Sequence, residues 1–77
     1  MNDPGARRTR ERENGRFKNL RAFRLARDLS QRECGEMVGK SQITWSRWER
    51  QVRYPDPPLA KRLAKITGVP LNTLLGL

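Results

Sequence analysis

The segment Ser30–Glu49, SQRECGEMVGKSQITWSRWE, leaves few choices of fold. Ser30 followed three residues later by Glu33 has the spacing of a capping box, in which each side chain satisfies the other's free backbone N–H. This starts a helix at Gln31. Gly39 ends it, because glycine takes the left-handed position after a helix without a Cβ clash. Ser41 is a second N-cap, so another helix runs from Gln42 to about Arg50. Two helices joined by so short a turn must cross closely, and Gly35 supplies the small residue that a close crossing needs. Trp45 and Trp48, at i and i+3, lock the later helix onto a core and leave polar and basic residues on its other face. Both indoles read as core packing rather than as base-stacking rings, since buried aromatics dominate small cores.

The rest of the chain builds around that unit. Residues 1–15 mix acidic and basic side chains with Pro4, Gly5 and Gly15 and almost nothing apolar, so they read as a disordered basic tail. Its Arg7, Arg8, Arg10 and Arg12 are candidate phosphate or minor-groove contacts, set against a purely solvated tail. Residues 16–77 read as one domain. A first helix is expected over Phe17–Asp28, with Leu20 and Phe23 facing inward. Tyr54–Pro58 is a loop ending in a cap at Asp56. Pro57 opens a fourth helix, where its missing N–H costs nothing. That helix runs to Thr67 on Leu59, Leu63, Ala64 and Ile66, and Gly68 stops it. Pro70 introduces a fifth helix, Leu71–Leu75. The fold class is all-α, with no strand signal and no internal repeat.

Composition narrows the function classes. The chain has 77 residues, one cysteine and no histidine. Cys34 alone cannot hold zinc or form an internal disulfide, so stability must come from helical packing, and no metal or cofactor is called for. Catalysis has little to work with: Cys34 has no base, and the few carboxylates are spread along the chain. A buried inert thiol is the better reading of Cys34 than a redox switch. No apolar run suits a signal peptide or membrane span, which points to a cytoplasmic protein. Seventeen Lys and Arg against eight Asp and Glu give a net charge of +9. That excess points to a polyanionic partner rather than to solubility alone. An anionic membrane would need a long basic helix with a broad apolar face, which is missing.

From Leu20 to Leu77 the chain resembles the Cro/CI-type (XRE) helix-turn-helix family. The resemblance rests on "LRAFRLARDLSQ", "GKSQITWSRWER", "YPDPPLAKRLAKITGVP" and "LNTLLGL". It implies a five-helix lambda-repressor-like domain whose second and third helices form the helix-turn-helix. It also implies roles for individual residues. Gln31 matches a glutamine that bonds a DNA phosphate. Gln42, Ile43, Ser46 and Arg47 match positions facing base edges, and Thr44 a phosphate-contacting or flanking position. Arg24 and Glu49 match an ion pair that ties the first helix to the third and turns the arginine toward the DNA backbone. The chemistry of these side chains agrees: Gln can bond adenine bidentately, Arg guanine, and Ile can pack on a thymine methyl. Lys40, Arg50 and Arg53 read as general phosphate contacts.

The chain departs from the family pattern at three positions. Lys40 stands where an apolar residue is usual, Cys34 replaces a common leucine, and Gln51 replaces a common glycine, which predicts a less sharply defined helix end. The resemblance implies a transcriptional regulator, most often a repressor, binding double-stranded DNA as a homodimer on a pseudo-palindromic operator. Half-sites would lie about 10 bp apart. Leu71, Leu74, Leu75 and Leu77 are the first candidates for the dimer contact. The alternative is an antitoxin-like or accessory subunit that binds a toxin-like protein as well as DNA.

Overall fold

A computed structural model describes residues 16–77. The tail expected over 1–15, with Arg7, Arg8, Arg10 and Arg12, lies outside the described residues. Within them the chain forms five helices: α1 Leu20–Ala26, α2 Gln31–Met37, α3 Gln42–Glu49, α4 Pro57–Thr67 and α5 Leu71–Leu75. There is no strand among these residues.

Side-chain caps set the starts of the first three helices. Ser30 and Glu33 form a reciprocal capping box on α2, with Ser30 N donating to Glu33 Oε1 at 2.8 Å and Glu33 N to Ser30 Oγ at 3.0 Å. Ser41 Oγ accepts from Thr44 N at 3.1 Å at the start of α3. The first helix is shorter than the expected Phe17–Asp28. Asn19 caps it, its Oδ1 accepting from Ala22 N at 2.8 Å, so the helix opens at Leu20. Phe17 belongs to the preceding segment, where its ring meets Phe23 edge to face with centroids 5.8 Å apart. Its N–H donates to Gly68 O. Asp56 occupies the N-cap position of α4 but makes no side-chain capping bond. Pro57 and Pro58 fill the first two helical positions, and neither has an N–H to offer.

The C-terminal ends of α1, α2 and α3 share one geometry. In α2 the N–H of Lys40 donates to Gly35 O at 2.8 Å and that of Gly39 to Glu36 O at 3.2 Å, a Schellman closure with Gly39 at φ +71°. Asp28 at φ +56° does the same for α1, where Leu29 N reaches Arg24 O at 3.1 Å. Gln51 at φ +62° does it for α3, where Val52 N reaches Arg47 O at 3.1 Å. The end of α3 is therefore sharply defined, contrary to expectation. The closing hydrogen bonds hold a non-glycine residue in the left-handed region.

The core is a single cluster drawn from all five helices and the short connections between them, with Phe23, Trp45, Leu63 and Val69 among its fully buried side chains. Gly35 lies where α2 meets the approach to α3: a Cβ there would stand 2.7 Å from Ser41 O and 2.8 Å from Lys40 O, so the crossing is closed to larger residues. Leu59, Ala60, Leu63 and Thr67 form the inward stripe of α4. Ile66, expected in that stripe, sits at its edge and is 41% exposed. Thr67 is buried instead; its hydroxyl donates to Leu63 O at 2.7 Å and accepts from Val69 N at 3.1 Å. That hydroxyl stitches the end of α4 to the entry of α5 and leaves no buried polar atom of its own unpaired.

Left-handed φ costs an ordinary L-residue about 1–2 kcal/mol. Glycine's extra freedom in the unfolded chain offsets roughly 0.4–1 kcal/mol of any relief. Gln51→Gly should therefore raise stability by about 0.5–1 kcal/mol, read as an upward shift in a thermal or denaturant midpoint with the slope unchanged.

Candidate nucleic-acid interface

The rotation of α3 decides which of its side chains can meet a partner. Trp45 and Trp48 point inward, 0% and 7% exposed, their ring centroids 5.7 Å apart. The opposite side of the helix carries Gln42, Ile43, Arg47 and Arg50, all exposed, with Ser46 half-buried beside them. Ile43 is 62% exposed, an apolar side chain in the middle of this otherwise polar front. Thr44 lies on the flank, half-buried, its Oγ1 accepting from Ser41 Oγ at 3.1 Å. Lys40 and Arg53 are exposed in the segments before and after the helix.

Behind this front sits the carboxylate of Glu49, its side chain only 4% exposed. Four donors converge on it. Arg24 Nε donates to Oε2 at 2.6 Å and Arg24 Nη2 to Oε1 at 3.2 Å, a two-pronged pairing between α1 and α3. Gln31 Nε2 donates to Oε1 at 3.1 Å from the start of α2. Trp45 Nε1 donates to Oε2 at 2.6 Å from one turn earlier in α3. Arg24 also gives Nη1 to Leu29 O at 3.2 Å. Of the five N–H groups of a guanidinium, three are thus committed and two remain.

Burial pushes the Glu49 carboxyl up. The hydrogen bonds from Arg24, Gln31 and Trp45, with the charge of Arg24, outweigh it and hold the group below the usual carboxylate range. The Arg24 guanidinium is raised correspondingly, chiefly by its hydrogen bond to Glu49. Glu33 is also lowered, by the Ser30 backbone N–H and then the Ser30 side chain. Cys34, fully buried, has its thiol pushed up to about 11 by burial, with Arg24 pulling it back in part. A thiol held there stays protonated at neutral pH and is a poor nucleophile.

The structure brings Arg24, Gln31 and Glu49 together in one cluster and places Gln42, Ile43, Ser46 and Arg47 on one front. Lys40, Arg50 and Arg53 lie around that front. The sequence reading missed the tie from Trp45 to Glu49. Two signals pointed to it: a buried indole N–H needs an acceptor, and Glu49 is four residues on. It also missed that Gln31 spends a donor inward.

A helix-turn-helix family model matches residues 20–74, covering all of α1 through α4 and most of α5. The chain belongs to the Cro/CI-type (XRE) helix-turn-helix family. No curated protein and no solved structure matches it. Membership makes this Cro/CI-type domain a DNA-binding regulator, and α2 and α3 are its helix-turn-helix. Among the described residues no helix is long and apolar enough to cross a membrane.

The lowered carboxyl of Glu49 has a definite sign for stability. Its contribution is complete above the unfolded carboxylate pKa, about 4.3, and is lost as pH falls through the lower folded value. Glu49→Gln should cost about 3 kcal/mol at neutral pH, because it leaves the Arg24 charge without its partner in a partly buried site. The gap between wild type and variant should narrow on acidification below that pKa, with Glu33 supplying the acid sensitivity left in the variant. Melting temperatures measured from pH 7 to pH 3 would check this; parallel curves would mean that Glu49 is not the responsible group.

Proposed function

We propose that this domain is a sequence-specific regulator of transcription that reads the DNA major groove with α3 and represses by occupying its operator. The observation that carries the reading is the front of α3, where Gln42, Ile43 and Arg47 project from a helix whose rotation is fixed by two buried indoles and an anchored carboxylate. Base readout needs such rigidity, since a bidentate pairing fails when its donor swings. Arg47 suits guanine O6 and N7, Gln42 suits adenine N6 and N7, and Ser46 takes either a donor or an acceptor. Ile43, which gains nothing from exposure to water, suits the methyl group of thymine.

Phosphate contacts surround this front. Gln31 keeps one amide hydrogen beyond the one it gives to Glu49, and Arg24 keeps two N–H groups, so each can hold Glu49 and a phosphate oxygen together. Thr44, Lys40, Arg50 and Arg53 complete the set. The domain acts as a homodimer on a pseudo-palindromic site, because two-fold DNA matches two-fold protein. Leu74, a first candidate for the dimer contact, is 2% exposed and packed into the core, so it has no surface to offer a second copy. Leu71 and Leu75, half-buried, and Leu77, exposed, carry the contact instead.

Binding to the duplex upstream of its own gene, compared with random duplex at two salt concentrations, tests the reading. A preference of about 10³-fold or more that persists at higher salt is expected. Equal affinities that fall together with salt would reduce the interaction to phosphate attraction and overturn it. Arg47→Ala should cost about 1–3 kcal/mol of binding and relax preference at a single base position. A uniform weakening across all sequences would make Arg47 a phosphate contact.

A further inference from the structure

The turn between α2 and α3 and the first turns of α4 face each other across an open groove of about 330 Å³, room for a phosphodiester and its water. Val38 and Leu59, both core residues, line it. Lys40 lines it from the turn and Arg62 from α4, and Asp56 contributes the one carboxylate. Lys40 directly precedes Ser41, the residue that caps α3, so this groove adjoins the recognition front.

The cationic series continues along α4. Lys61, Arg62 and Lys65 are all exposed, opposite the buried stripe of Leu59, Ala60, Leu63 and Thr67, and α4 contains no acidic residue. Among the described residues the ion pairs are Arg24–Glu49 and Arg32–Glu36, so none of Lys40, Lys61, Arg62 and Lys65 has a carboxylate partner there. Lys61 and Lys65 stand at i and i+4, the spacing at which like charges repel on a helix and an acid in place of either would stabilise it. A helix serving only to close the core has no use for this arrangement, whereas a chain of phosphates does.

We propose that Arg62, Lys61 and Lys65 of α4 extend the phosphate contact at Lys40 into a second track, which carries the phosphate backbone of the DNA flanking the bases read by α3. The inference rests on the DNA-binding reading of α3 and extends the footprint beyond the helix-turn-helix. Lysine ammoniums act along the track as point charges, and the Arg62 guanidinium can take two phosphate oxygens at once. The track is indifferent to base sequence: it sets affinity and salt dependence, and leaves discrimination to Gln42, Ile43 and Arg47.

The chain's four lysines, Lys18, Lys40, Lys61 and Lys65, make the test direct. Acetylation of the intact protein, read residue by residue by mass spectrometry with and without random-sequence duplex, reports which lysines the DNA covers. Lys40, Lys61 and Lys65 should lose reactivity several-fold while Lys18, ahead of α1, keeps it. The triple variant Lys61→Ala, Arg62→Ala, Lys65→Ala should fold with a melting temperature no lower than the wild type's, since it removes the Lys61–Lys65 repulsion. Its slope of log affinity against log salt should be shallower by about 2–3, since each phosphate the variant no longer neutralises removes about 0.9. Protection of Lys40 alone, with Lys61 and Lys65 as reactive as in the free protein and an unchanged slope, would overturn the track and leave the α3 reading standing. Equal protection of all four lysines would replace the track by diffuse coating. Absence of any binding to duplex would overturn both.

Discussion

A buried carboxylate organises this domain. Glu49 accepts from α1 through Arg24, from α2 through Gln31 and from its own helix through Trp45. Taking a carboxylate out of water costs several kcal/mol, and only good geometry with every lone pair engaged offsets it. Four donors on two oxygens meet that condition. The domain is short on hydrophobic area, so a polar tie that specifies how three helices meet supplies what apolar packing alone leaves loose. Trp45 joins the two systems, with its ring in the core and its N–H on the carboxylate.

The connections carry the same economy of length. Three successive helices end on a left-handed residue whose successor's N–H closes back on the last turn, and α2 and α3 each begin within a few residues of the closure before them. Such closures re-aim the chain without a long loop, so α3 leaves the turn already capped by Ser41. Gly35 allows the backbone at Lys40 and Ser41 to come close against α2. The exposed front of α3 is thus positioned by backbone closures at its start and by Glu49 at its end.

Much of this was legible in the residues. The two serine caps, the glycine turn, the inward tryptophans and the proline-led α4 follow from short-range chemistry, where spacing alone decides. The start of α1 was misplaced because Asn19 is a cap with no acidic partner three residues on to announce it, and Phe17 imitates helical periodicity while packing from outside the helix. Ile66 left the inward stripe and Thr67 entered it because the Thr67 hydroxyl accepts from Val69 N at the entry to α5, which lies beyond the window of helical periodicity. In the candidate interface, the Arg24–Glu49 pairing came from family resemblance, not from the residues themselves, since 25 positions separate the partners. That Gln31 and Trp45 share the same carboxylate depends on three helices meeting, which no local pattern encodes.

One optical consequence follows from the placement of the two indoles. Trp45 and Trp48 are the chain's only tryptophans, and both lie in the core behind the exposed front of α3. Their emission therefore reports on the interior rather than on bases stacking from outside. A phosphate drawing on Arg24 or Gln31 would reach the Trp45 ring through the carboxylate they share with it, and would be felt as a shift in the field around that indole.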